Sequence, residues 1–150
     1  MSGVEEILKA AHERARKMNL PYQGALLPGE AYAVLQQVPG AKLVDVRSRP
    51  ELDFVGRVLG SVEIEWKTYP GMRPNPDFSH QLKQRVPQDA VVMFICRSGA
   101  RSHDTATVAA QAGYANAYNV LEGFEGDKDP SGHRNTVGGW RVSGLPWVQS

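Results

Sequence analysis

The single cysteine of the chain, Cys96, opens the run Cys96-Arg97-Ser98-Gly99-Ala100-Arg101-Ser102 and follows the apolar stretch Val91-Val92-Met93-Phe94-Ile95. These residues describe a buried strand that delivers a thiol to a short loop, with two guanidiniums on the loop and a helix starting where it ends. Nearby cations and the unpaired N–H groups of a helix start both favour the thiolate, which is the nucleophilic form of cysteine. Ser102 is the expected N-cap of that helix, since a hydroxyl there can accept an orphan N–H. Backbone N–H groups from Arg97 to Ser102 can curl into a cradle for an anion, with Gly99 supplying the conformational freedom for the curl. Such a loop is suited to nucleophilic chemistry on an anionic substrate.

The rest of the chain narrows the setting. With 150 residues, 41% hydrophobic and 22% charged, one domain with an ordinary core is expected. A net charge of +1 gives no broad electrostatic footprint for nucleic acid or an anionic membrane, so neither is an expected partner and anion binding should be local. The start Met1-Ser2-Gly3-Val4-Glu5-Glu6 lacks the basic residues and apolar core of a secretory signal, and no apolar run approaches the roughly 20 residues of a membrane span. A lone thiol without a disulfide partner suits a reducing compartment, which makes the cytoplasm the expected location.

Periodicity places the elements around the loop. Val4, Ile7, Leu8, Ala11, Ala15 and Met18 recur at helical steps, predicting an amphipathic helix over residues 3 to 19 that ends at Asn19 and Pro21. A second helix starts at Pro28-Gly29-Glu30 and runs to about Val38, stopped by Pro39-Gly40. Residues 42 to 47 form a short buried strand ending in Asp45, Val46 and Arg47, and Ser48 with Glu51 has the capping-box spacing that opens a helical turn through Phe54. Residues 61 to 64 are a further strand, Pro70 to Pro76 a loop, Asp77 to Arg85 a helix, Ala90 to Ile95 the strongest strand, Ser102 to Ala112 a helix and Ala117 to Val120 a last strand. Strands alternating with helices indicate an α/β domain with a mostly parallel sheet, in which ligands sit beyond the carboxyl ends of the strands. Cys96 falls at such an end. Residues 121 to 139 form a long loop without periodicity, a common place for function.

Leu43-Val44-Asp45-Val46-Arg47, the Gly56-to-Ser61 segment, the Cys96-to-Ser102 loop and the closing Gly138-Gly139-Trp140 with Gly144-Leu145-Pro146-Trp147 resemble, in order and spacing, a single-domain rhodanese. The resemblance implies a three-layer α/β domain over residues 26–150, with residues 1–25 a helical extension packed on it. It also implies a sulfurtransferase in which the Cys96 thiolate takes the outer sulfur of thiosulfate or a persulfide, holds it as a persulfide and yields it to a thiol, to cyanide or to a protein acceptor. No cofactor is implied. Arg97, Ser98, Gly99, Ala100, Arg101 and Ser102 would form the anion-binding loop, with Asp45, Arg47 and Glu51 in support. For Arg101 two readings stand together, an anion-facing role and a salt bridge to Asp45 or Glu51. Arg97 points to the pocket mouth or simply to solvent. Arg57 departs from the family pattern, which commonly has His at that place, and the spacing before Gly56 differs by one residue.

Other residues that could do chemistry are read more plainly. His12, His80, His103 and His133 lack the partners and spacing of a metal site, so none is expected. His103 could tune Cys96, although an exposed first-turn side chain is the simpler reading. Asp127-Lys128-Asp129-Pro130-Ser131-Gly132 copies the first half of a calcium loop, but its twelfth position is Gly138 and not Glu, which leaves a turn-rich surface segment. Phe124, His133 and Arg134 are candidates for the pocket mouth, and Trp140 and Trp147 for packing. Two other enzymes use a thiolate in an arginine-closed loop, cysteine-dependent phosphatases and arsenate reductases. The phosphatases use a longer gap than the four residues between Cys96 and Arg101, and this loop has no acid to protonate a leaving alcohol. A noncatalytic regulatory module is a further alternative, disfavoured because Cys96, Gly99 and Arg101 are all present.

Overall fold

The computed structural model describes residues 2–149; Met1 and Ser150, at the outer ends of the two expected segments, lie outside the described residues. The first half of the chain runs α1 (Ser2–Met18), β1 (Gly24–Leu26), α2 (Pro28–Gln37), β2 (Lys42–Asp45), α3 (Arg49–Val55) and β3 (Val62–Glu63). It continues through β4 (Lys67–Thr68), β5 (Arg73–Pro74), α4 (Phe78–Arg85), β6 (Val92–Ile95), α5 (Ala100–Gln111) and β7 (Ala117–Val120). Five strands pair in parallel in the order β1-β7-β6-β2-β3, while β4 and β5 form a separate antiparallel hairpin.

The sheet is buried on both faces, which explains why β6 is a continuous apolar run. Its residues alternate between two cores. Val92, Phe94 and Cys96 pack with Phe78 and Leu82 of α4 and Ala106 and Ala109 of α5. Met93 and Ile95 pack on the opposite side with Ala11 of α1, Ala31 and Val34 of α2, and Trp140. The α/β architecture with a central parallel sheet between helical layers is therefore as expected. Cys96 and Arg47, just past the ends of the neighbouring strands β6 and β2, emerge at the same edge because Asp45 is in register with Ile95.

Several local expectations differ. Residues 24–26 carry too few residues for a pattern and fall between two helices, yet they form edge strand β1 beside β7. The expected boundary between residues 25 and 26 thus falls inside a strand. The helix α1 lies close on β1 at Gly24, where an added Cβ would stand 2.9 Å from the Ala11 backbone. The stretch read as a loop contains β5, which pairs with β4. Helix α5 begins at Ala100 and its N-cap is Gly99, with φ of 111°, not Ser102. Gly99 turns the chain into the helix early because it tolerates positive φ, and this frees the Ser102 hydroxyl for another use.

Candidate active site

The loop between β6 and α5 folds around the Cys96 sulfur. Cys96 is almost wholly buried, and its Sγ accepts the N–H of Gly99 at 3.1 Å and the N–H of Ser102 at 3.3 Å. The second of these is one of the orphan donors that every helix start leaves unpaired. Ser102 Oγ lies 3.3 Å from the sulfur and donates to Asn119 Oδ1 at 2.5 Å, and Asn119 Nδ2 donates to the Gly99 carbonyl at 3.3 Å. The loop is therefore pinned from β7 as well as from its own helix.

One ion pair holds the loop from the other side, and a second fixes the neighbouring strand end. Arg101 donates through Nη1 and Nη2 to Glu51 Oε1 and Oε2 at 2.7 and 2.8 Å, a planar fork onto a carboxylate. Glu51 also accepts the Ser48 N–H at 3.0 Å and the Ser48 hydroxyl at 2.9 Å, as the capping spacing foretold. Burial alone would raise the Glu51 pKa, but Arg101 and Ser48 outweigh it and hold the carboxyl down to about 2. Burial works against the charge of Arg101, and Glu51, followed by the Cys96 and Asp45 charges, reverses this and raises its pKa. Of the two carboxylates considered for Arg101, Glu51 is the partner.

Asp45 is taken by Arg47. Both side chains are fully buried; Arg47 Nε donates to Oδ1 at 3.0 Å and Nη2 to Oδ2 at 2.7 Å, while Nη2 also donates to the Gly56 carbonyl at 2.8 Å. The guanidinium stacks over Phe124, 4.2 Å from its centroid. This places Phe124 beneath the site. It is fully buried and packs against Trp147, so the expectation that it lines the mouth is wrong. The physical reason is the tight crossing at Gly123, whose neighbour Phe124 donates its N–H to the Cys96 carbonyl at 2.8 Å and is drawn into the core.

Arg97 is exposed and, together with Arg101, Arg134 and Glu125, lines a cavity of about 490 Å³ at the loop. Of the three residues proposed from the long loop, Arg134 reaches this cavity; His133 is exposed and is not among its lining residues. Asp129 accepts the N–H groups of Ser131 and His133 at 2.9 Å each, closing a turn in the segment that resembled a calcium loop. Arg57 bridges Asp53 at 2.7 Å and Glu63 at 2.8 Å, tying α3 to β3. Trp140 is fully buried and Trp147 is half-buried, as packing residues should be.

The model of the rhodanese-like domain matches residues 28–129, more than half of the chain and including all of this loop. This chain is a member of the rhodanese family. Rv0390 from M. tuberculosis, known from a crystal structure, is 44% identical, with a TM-score of 0.79 over 86% of this chain and 99% of its own. An uncharacterized protein of Rickettsia conorii is 35% identical over 121 residues, 79% of this chain and 91% of its own. More distantly, the thiosulfate sulfurtransferase GlpE of Actinobacillus succinogenes is 27% identical over 121 residues, covering 81% of this chain and 86% of that protein. The fold is rhodanese-like, and its distant relatives include sulfurtransferases.

Two residues behind the loop of this rhodanese domain, Asn119 and Tyr22, were not legible as site residues. Asn119 read only as a strand residue, while its partner Ser102 was expected both in the anion-binding loop and as a cap. Tyr22, from the segment before the family match, shares a hydrogen bond of 2.8 Å with His103 Nδ1 and stacks edge-on against that ring. His103 is therefore half-buried and partnered, unlike the exposed side chain expected. The sheet order, which puts β7 beside β6 and β1 beside β7, brings these residues together. Among the described residues no helix is long and apolar enough to cross a membrane.

Proposed function

We propose that this protein is a sulfurtransferase that carries sulfane sulfur on Cys96. The observation that supports the reading best is the pair of backbone N–H groups, from Gly99 and Ser102, directed at the Cys96 sulfur. Such donors stabilise negative charge on sulfur, both in the attacking thiolate and in a persulfide. The thiolate attacks the outer sulfur of thiosulfate; the new S–S bond forms as the old one breaks, and sulfite leaves with the electron pair. A persulfide donor reacts in the same way and releases a thiolate. A thiol, cyanide or a protein cysteine then attacks the outer sulfur and returns the Cys96 thiolate.

In this reading Cys96 is the nucleophile, residues 97–102 form the anion cradle, and Arg101 adds fixed positive charge beside the sulfur. Glu51 holds Arg101, and the Asp45–Arg47 pair fixes the neighbouring strand end. The four-residue gap from Cys96 to Arg101 favours a sulfur ligand over the larger phosphoryl group. A thiol that cycles through a persulfide suits a reducing compartment, so we place the protein in the cytoplasm.

Intact-mass measurement after incubation with thiosulfate tests the proposal. One added sulfur is expected, removed by reductant or by cyanide with release of thiocyanate, and absent from Cys96→Ala. Wild-type protein that never gains sulfur from thiosulfate or a cysteine persulfide, yet hydrolyses an aryl phosphate, would replace this reading with the phosphatase one.

A further inference from the structure

The cavity at the Cys96 loop is larger than its simplest substrate requires. At about 490 Å³ it falls within the range of pockets that take organic ligands, whereas thiosulfate is an ion of five atoms. Its walls come from opposite parts of the chain. Tyr69 and Met72, in the connection between β4 and β5, supply an apolar side, and Glu125 and Arg134 from the 121–139 loop supply a polar one. Tyr69 is 63% exposed and Met72 38%, so apolar surface is open to a ligand.

The charges of the cavity do not balance. Arg101 is committed to Glu51 through both terminal nitrogens. Among the described residues, Arg97 and Arg134 form no ion pair; Arg134 donates to the Gly126 carbonyl at 2.8 Å. Glu125 is the only other carboxylate on the lining. Two unpaired guanidiniums thus face one carboxylate, an excess of about one positive charge that a single ligand carboxylate would balance, while the Gly99 and Ser102 N–H groups serve the charge on sulfur.

We propose that the sulfur acceptor is a small organic thiol bearing a carboxylate, with Arg134 pairing the carboxylate and Tyr69 and Met72 packing the carbon skeleton. This rests on the sulfurtransferase reading and extends it to the acceptor. The acceptor thiolate attacks the outer sulfur of the Cys96 persulfide. An S–S bond forms on the acceptor, the bond to Cys96 Sγ breaks, and its electron pair returns to Sγ as thiolate. The acceptor leaves as a persulfide, and no other oxidant or reductant takes part.

The test compares 3-mercaptopropionate, 2-mercaptoethanol and cysteamine as acceptors at equal thiolate concentration. The expected order of kcat/KM is anionic, then neutral, then cationic. Arg134→Gln should lower the ratio of mercaptopropionate to mercaptoethanol about tenfold, through KM, as loss of one charge-assisted contact would. Glu125→Gln should raise the same ratio, a gain that a poorly folded variant would not produce. Equal kcat/KM for the three thiols, or a ratio unmoved by Arg134→Gln, overturns the inference. A second readout needs no sulfur transfer: alkylation of Cys96, the chain's only thiol, by iodoacetate relative to iodoacetamide. An anion preference that falls in Arg134→Gln supports the carboxylate contact at Arg134 by itself; if no persulfide ever forms, the sulfurtransferase reading fails and the acceptor role falls with it. No anion preference in the wild type overturns the inference even if sulfur is transferred.

Discussion

Glu51 accepts hydrogen bonds from both the Ser48 amide and hydroxyl and from both terminal nitrogens of Arg101, so one carboxylate joins the start of α3 to the loop that carries Cys96. Glu51→Gln keeps the shape and removes the charge, leaving a half-buried guanidinium without its counter-ion. Chemical denaturation should show a loss of about 1–3 kcal/mol. The pH dependence has a definite sign. Because the folded carboxyl titrates at about 2 and not at its ordinary 4.5, the stabilisation is complete above pH 4.5 and is lost as pH falls from there toward 2. The wild type should therefore lose more stability across that window than Glu51→Gln does; parallel curves for the two would show that the pairing contributes nothing. The Ser48–Glu51 half of this contact was readable in advance because the capping spacing is local, whereas the Arg101 half stood open between Asp45 and Glu51. Asn119 and Tyr22 were not readable, since nothing near them in the chain marks their approach to Ser102 and His103. That approach depends on strand order, which is a property of the sheet and not of any short segment.

The loop after β6 works because a second segment crosses behind it. Gly123, with φ of 64°, passes so close that an added Cβ would stand 2.5 Å from the Cys96 carbonyl oxygen and 2.6 Å from the Arg97 backbone. Phe124 N–H and Glu125 N–H then bond the carbonyls of Cys96 and Arg97 at 2.8 and 3.0 Å. Gly123→Ala meets both a positive φ and rigid backbone atoms, and should cost on the order of 3 kcal/mol. It should also slow Cys96 alkylation or loading, because the crossing segment sets the loop carbonyls that orient its N–H groups. Thermal unfolding and alkylation rate check the two effects; a variant unchanged in both would mean that the crossing is not needed. At this scale the strongly patterned elements, β6, α5 and α1, were legible, because burial on two faces or on one helical face writes a period into the sequence. The three-residue β1 and two-residue β4 and β5 are too short to carry any period, and the crossing at Gly123 looked like an unpatterned loop.

Taken as a whole, the molecule extends beyond the family match at both ends, and each end is tied into it. Residues after 129 supply Trp140 to the core and pair Val148 with Arg57. Before residue 28, α1 sits on β1 through Ala11, and Arg14 pairs with Glu30 of α2 at 2.6 Å while donating to the Ala25 carbonyl at 2.9 Å. Because β1 is an edge strand, α1 also covers backbone that could otherwise pair with another chain. We expect residues 1–25 to fold as one unit with the remainder. Deleting residues 1–19 removes the burial of Ala11 and the partial burial of Val4, Ile7 and Leu8 in one core, together with the burial of Ala15. At roughly 1–2 kcal/mol for each, this amounts to several kcal/mol, a large part of the 5–15 kcal/mol typical of a domain. The truncated chain should unfold at much lower denaturant concentration and show concentration-dependent association through the bared β1. The four-residue joint after the deletion leaves Tyr22 in place, so Cys96 alkylation in whatever fraction stays folded should match the full chain. Truncation that shifts the midpoint by less than the equivalent of about 0.5 kcal/mol would instead make α1 a detachable appendage, and the cover over β1 would have to come from elsewhere.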